Sequence, residues 1–147
     1  EQLRRIVSGV KSPANGVTFC VGSLGVRAAN DLPAMVHELG PDIHFAHLRN
    51  VKRESATIFH EAEHLGGSSD MTAVVFALRR EELRRRAEGR HDSDIPFRPD
   101  HGHLMLDDVD KAGTRPGYSA IGRLKGLAEL RGVIHGFDLA VRQGLSV

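Results

Sequence analysis

The apolar positions of this chain alternate between a helical and an extended period. Leu3, Ile6, Val7 and Val10 recur at i, i+3, i+4 and i+7, the spacing of one helix face. Gly9 to Gly16 then reads as a loop, and Val17-Thr18-Phe19-Cys20-Val21 as a short buried strand bounded by glycines. Asn30 or Asp31 caps a second helix that tolerates Pro33 in its first turn. Its apolar stripe is Leu32, Met35, Val36 and Leu39, and Gly40-Pro41 ends it. Ile43 to Leu48 is the next strand, followed by a longer connection to Gly67. Ser69 or Asp70 caps a third helix running through Glu88, with Met71, Val74, Val75 and Leu78 on its buried side. The pairs Glu81–Arg85 and Glu82–Arg86, each four residues apart, predict a solvated outer face. Gly89 closes that helix, Ile95 to Arg98 forms a brief strand, and a last helix starts near Ser119.

Repeated strand–helix units imply parallel strands with helices packed outside them. Three parallel strands make a poor closed core but a good arc of an eight-stranded barrel. The expected fold is therefore α/β: about three βα units of a TIM (β/α)8 barrel. Residues 1–147 would form one partial barrel domain, with the N-terminal strands of the barrel absent from this chain. The helical pattern that runs from the first residues with no capping residue before it points the same way.

Composition narrows the class. With 40% hydrophobic and 27% charged residues and a net charge of +1, the 147 residues describe a soluble globular protein. No excess of either sign suggests nucleic acid or a membrane surface as a partner. No apolar run approaches the roughly 20 residues of a membrane span. The single cysteine, Cys20, precludes an internal disulfide and fits a reducing cytoplasm. Nine histidines and no tryptophan make an imidazole-rich chain, which favours metal or proton-transfer chemistry.

Cys20, His47 and Asp100 each fall at the C-terminal end of an expected strand, where residues distant in sequence meet around one barrel site. Thiolate, imidazole and carboxylate together suit Mn2+, Fe2+ or Zn2+. Singly, each has a plainer role: a strand cysteine as a small buried apolar group, a strand histidine as a core residue, an aspartate after proline as a turn former. Their recurrence at three successive strand ends is what singles them out. Arg98-Pro99-Asp100-His101-Gly102-His103 and Pro116-Gly117-Tyr118 add two more imidazoles and the only tyrosine of the chain. His103 has no assigned chemistry and reads as structural.

Several stretches resemble the mannonate dehydratase family. They are Phe19-Cys20-Val21-Gly22-Ser23-Leu24-Gly25-Val26-Arg27, His47-Leu48-Arg49, Phe59-His60-Glu61-Ala62-Glu63-His64-Leu65, Arg98 to His103, and Pro116 to Leu127. They occur in order and cover nearly the whole chain. The resemblance implies a xylose-isomerase-like barrel, of which this chain is the C-terminal part. It implies dehydration of D-mannonate to 2-keto-3-deoxy-D-gluconate in hexuronate breakdown, in the cytoplasm and in a homo-oligomer. It further implies that Cys20, His47 and Asp100 hold Mn2+ or Fe2+, and that His101 and Tyr118 transfer protons. The family's remaining metal ligand, a histidine on an earlier strand, has no counterpart in these residues.

Such a dehydration removes the feebly acidic C2 proton beside a carboxylate and expels the C3 hydroxyl, so it needs a base, an acid and a Lewis acid. His101 and Tyr118 are the candidates for base and acid, in either order. Arg49, Arg98 and Arg27 are candidates to bind the substrate carboxylate, with Ser23 in the Gly22–Gly25 loop and His60 as further contacts. In the last helix Gly122 and Gly126 share a face, which predicts a close backbone approach, and the helix start near Ser119 would attract an anion.

Two other readings compete. His60-Glu61-Ala62-Glu63-His64 matches the HExxH pattern of zinc peptidases, in which a helix places both histidines on one face. Within the dehydratase pattern the same stretch is instead a loop over the barrel mouth, where His60, Glu61 or His64 would meet substrate. The other alternative is an inactive or complementing half-barrel fragment whose sheet edges need the remainder of the barrel or another chain.

Overall fold

The computed structural model describes residues 2–115 and 117–147; Glu1, and Pro116 of the expected Pro116-Gly117-Tyr118 motif, lie outside the described residues. The order of elements is α1 (Gln2–Ser8), β1 (Val17–Cys20), α2 (Val21–Gly25), α3 (Leu32–Leu39), β2 (Ile43–His47), β3 (Asn50–Arg53), β4 (Phe59–Ala62), α4 (Met71–Ala87), β5 (Phe97–Arg98) and α5 (Ala120–Arg142). The three strands expected from the sequence form one parallel sheet in the order β1-β2-β5.

Pairing in that sheet sets Cys20 opposite His47 and His47 opposite Arg98. One row of residues thus crosses the C-terminal edge of all three strands. A register shift between Val17 and Thr18 brings Phe19 level with Ala46. Phe19, Ile43 and Ala46 are fully buried beneath Val36 of α3, Val74 and Val75 of α4 and Leu130 of α5. The opposite face carries Thr18, Cys20, Phe45 and His47, all exposed or half-buried. The helices therefore cover one side of the sheet and leave the other open.

Capping chemistry places the helix starts where the sequence put them. Asp31 accepts from the Ala34 amide at 3.0 Å and Asp70 from Ala73 at 2.9 Å. Ser119 accepts from Gly122 at 3.1 Å. Gly89, with φ of 69°, turns the chain out of α4. The anion at the start of α5 belongs to the chain itself: buried Asp108 accepts from the Ser119 hydroxyl. The α1 stripe is only partly used, since Val7 is buried while Ile6 and Val10 are exposed.

Three expectations need correction. Val21 begins the short helix α2 rather than ending β1, and the strand before Pro99 is reduced to Phe97–Arg98. The outer side of α4 is only partly solvated: Glu81, Glu82 and Arg85 are buried, while Arg86 is exposed. Arg85 is 1% exposed and donates to the carbonyls of Gly40 at 2.6 Å, Ile43 at 2.7 Å and Asp92 at 2.8 Å. Its Nε meets Glu81 at 2.9 Å, whereas Glu82 pairs with Arg79 and Arg86 with Asp94. The strand–helix connections fold back over that face, and a charge pair four residues apart looks the same in sequence whether covered or not.

The connection between β2 and α4 is also more ordered than expected, because β3 and β4 form an antiparallel hairpin with Asn50 opposite Ala62 and Val51 opposite Glu61. Its base is held by the fully buried Asn50 carboxamide, which donates to the carbonyls of His64 and Ser69 at 2.9 Å and accepts from the amides of Val51 and Ser69.

Candidate metal centre and proton-transfer pair

The β1–β2–β5 register brings Cys20 and His47 side by side, and Asp100 follows two residues after Arg98. Asp100 takes φ of 63°, a left-handed conformation unusual for a residue with a side chain. The immediately preceding Pro99 carbonyl lies 3.1 Å from Nε2 of His64, a ring only 2% exposed. One donor atom from each of Cys20, His47 and Asp100 lies within 4.8 Å of the others. Donors each about 2.0–2.3 Å from a shared ion span a comparable range. The three half-buried groups, a sulfur, an imidazole and a carboxylate, also suit a borderline divalent ion in kind.

Their protonation favours the same use. Burial holds the His47 imidazole below its ordinary range, more than the Asp100 carboxylate raises it, and Arg98 and Arg49 push it down further. His47 is thus neutral near pH 7, the form that ligates a metal. Burial alone would raise the Asp100 carboxyl, but His47, His101 and Arg98 outweigh it and hold it below the usual range.

His101 and Tyr118 stand together, with ring centroids 4.6 Å apart. Nδ1 of His101 is 3.0 Å from Oδ2 of Asp100. Gly117 makes room for this ring, because a Cβ there would lie 2.9 Å from its Cδ2, and the Gly102 amide donates to the Gly117 carbonyl at 2.9 Å. Gly122 and Gly126 of α5 are accounted for by close approach. A Cβ on Gly122 would overlap the His103 carbonyl, and one on Gly126 would overlap the His64 ring. His103 itself is exposed and contributes this backbone contact. A cavity of about 450 Å³ opens beside the pair, bounded by Arg98, Asp100, Tyr118, Arg123 and Leu124. That volume lies within the range of small-molecule sites.

The arginines divide. Arg98 meets Asp100 at 2.8 Å and is largely exposed at the cavity. Arg49 lies deeper, paired with Glu61, 3.8 Å from Asp100 and 3.4 Å from the Ser23 hydroxyl, which donates in turn to Cys20 at 3.2 Å. Burial works against the Arg49 charge, but Cys20, Glu61 and Asp100 outweigh it and raise its pKa. Arg27 lines a separate groove beside α1, together with Asp31 and Glu38. His60 is exposed and pairs with Glu54 at 3.1 Å on the hairpin. Neither belongs to the cluster. The zinc-peptidase pattern also fails here: Phe59–Ala62 is a strand, His60 and Glu61 point to opposite faces, and His64 is buried against α5. The two residues of that stretch that reach the site, Glu61 through Arg49 and His64 through Pro99, carry no signal in sequence beyond their place in the family-like stretch.

Comparisons with known proteins point in one direction. Residues 1–143 match the family model described as D-mannonate dehydratase (UxuA). The mannonate dehydratase of Saccharophagus degradans is 52% identical over 143 residues, covering 97% of this chain and 36% of that protein. That of Rhizobium meliloti is 61% identical over 127 residues, covering 84% and 31%. Mannonate dehydratase 1 of Agrobacterium fabrum is 57% identical over 147 residues, covering 95% and 36%. The crystal structure of mannonate dehydratase from Streptococcus suis serotype 2 superposes with a TM-score of 0.76 at 30% identity, covering 99% of this chain and 38% of that one. The chain thus spans about a third of the length of the curated relatives it matches.

Proposed function

The chain belongs to the D-mannonate dehydratase family, and from that membership we propose that it carries one wall of the active site of a metal-dependent D-mannonate dehydratase. The observation that carries this reading is the meeting of Cys20, His47 and Asp100 beside the His101–Tyr118 pair. A divalent ion, Mn2+ or Fe2+, held by those three residues would supply Lewis-acid stabilisation of charge developing at the substrate carboxylate.

The protein's own groups do the rest. The Asp100–His101 hydrogen bond sets the proton on Nδ1 and leaves Nε2 of His101 free to exchange a proton with substrate. Tyr118 lines the adjoining cavity and takes the complementary role. One of the two removes the C2 proton and the other protonates the departing C3 hydroxyl; the enol that results tautomerises to 2-keto-3-deoxy-D-gluconate. Arg98 at the cavity, Arg49 deeper in and Ser23 beside it bind and orient the sugar acid. This reading makes the protein a carbon–oxygen lyase of hexuronate breakdown, acting in the cytoplasm. The described residues contain no helix long and apolar enough to cross a membrane.

The sheet supports an arc of a larger barrel. Among the described residues β1 and β5 each pair on one side only, and the Thr18–Phe45 face is uncovered. Further strands of a (β/α)8 barrel would satisfy both edges and fill that face, whether from the same chain or another. The test is a chimera in which this chain replaces the matching 143 residues of the Saccharophagus degradans enzyme. Metal-dependent conversion of D-mannonate to a 2-keto-3-deoxy acid is expected. A folded, metal-loaded chimera that leaves D-mannonate unchanged would overturn the reading.

A further inference from the structure

Glu61 sits on the inner side of the β3–β4 hairpin and reaches the metal-donor cluster through a single residue, Arg49. Arg49 follows β2, and its side chain lies across Gly22, where a Cβ would come within 2.6 Å of its Cγ and Nε. One end of its guanidinium is bound to Oε1 of Glu61; Nε lies 3.8 Å from Oδ2 of Asp100, at the limit of an ion pair. Glu61 spends much of its own solvation in this arrangement, because its second oxygen, Oε2, is buried with no hydrogen-bond partner among the described residues. A carboxylate left in that state needs a reason.

Arg49 supplies it. A guanidinium is a permanent cation with a fork that fits a carboxylate, and the nearest alternative carboxylate is Asp100. Turned fully onto Asp100, the arginine would occupy an oxygen that a divalent ion requires and would set a positive charge against that ion. The direct contact of Nη1 with Glu61 leaves only Nε facing Asp100, at 3.8 Å.

Building on the metal centre proposed above, we propose that Glu61 is a positioning residue that keeps Arg49, which already borders Cys20 and Asp100, from turning fully onto Asp100 and thereby sets the affinity of the Cys20–His47–Asp100 cluster for a divalent cation. Glu61 touches none of the three donors in the hydrogen-bond and ion-pair contacts of the described residues, so its influence runs through Arg49.

The test is calorimetric titration of the metal-free chain with Mn2+ alone, in the parent and in E61Q, R49Q and the double variant. The E61Q chain is expected to bind Mn2+ about tenfold more weakly, the size of effect seen when a group supporting a metal ligand is lost. The R49Q chain is expected to bind at least as tightly as the parent, and E61Q to have no further effect once Arg49 is gone. Glu61→Asp, which keeps the charge on a shorter arm, is expected to fall between parent and E61Q, and circular dichroism confirms that each variant is folded. Unchanged affinity in folded E61Q overturns the proposal, as does a loss that persists undiminished in the R49Q background, which would mean that the Glu61 charge acts on the ion directly. Parent binding that His47→Ala leaves intact would instead overturn the metal centre itself.

Discussion

Oδ2 of Asp100 stands 3.0 Å from Nδ1 of His101, while Oδ1 of the same carboxylate meets Nη2 of Arg98 at 2.8 Å. One side chain therefore links the proposed metal donors, the proposed proton-transfer pair and a cation at the cavity. These contacts join residues within the four-residue stretch Arg98 to His101, in which Asp100 takes φ of 63°.

Tyr118 touches the His101 ring but is no donor of the cluster. In the Saccharophagus degradans chimera, Tyr118→Phe is expected to keep its metal content while turnover falls about 100-fold or more, the range of general acid–base contributions. Metal analysis beside steady-state kinetics checks this, and unchanged turnover would remove Tyr118 from the scheme.

Gly122 lets α5 lie directly on the His103 carbonyl. Gly122→Ala must push the helix away from the segment that carries Asp100 and His101, at a cost of about 1–3 kcal/mol. A lowered urea midpoint is expected, whereas Gly132→Ala, with open space around it, is expected to be neutral or stabilising.

Arg85 is the largest fully buried side chain, and three carbonyls and Glu81 depend on it. Removing one partner of a buried charge pair typically costs about 3–5 kcal/mol. Arg85→Ala is therefore expected to lose stability on that scale in chemical denaturation. A loss of less than about 1 kcal/mol would contradict the burial described for α4.

Glu81 gives the fold an acid-sensitive element. Burial favours its neutral form, but hydrogen bonds from Arg84 and Arg85 outweigh this and lower its pKa below the model-peptide value of about 4.5. A group whose pKa is depressed on folding adds stability above its unfolded pKa and loses it as pH falls through the folded one. Stability is thus expected to fall with decreasing pH below about 4.5, and less steeply in Glu81→Gln. Denaturation midpoints measured from pH 7 to 3 check the difference.

Much of this arrangement was legible in the sequence because it depends on local rules. Period-two and period-3.6 patterns mark the three parallel strands and four of the helices, and Asp31, Asp70 and Ser119 mark helix starts. The expected strand ends at Cys20 and His47 point to a shared site, and the parallel β1–β2 register sets the two side by side. The β3–β4 hairpin was not legible, because its strands are rich in polar residues and its anchor is the tertiary burial of the Asn50 carboxamide. The covered face of α4 was hidden for a related reason: Glu81 and Arg85 make the same pair in water or under a layer of chain. The roles of Glu61 and His64 depend on where Arg49 and Pro99 lie in space, which the intervening 11 and 34 residues do not reveal.

The most direct test is a crystal of the chain grown with Mn2+ and recorded on both sides of the manganese absorption edge. The expected result is one anomalous peak bounded by Sγ of Cys20, an imidazole nitrogen of His47 and a carboxylate oxygen of Asp100, each about 2.0–2.4 Å away. A fully occupied peak held by other residues, or none at these three in saturating Mn2+, would contradict the account.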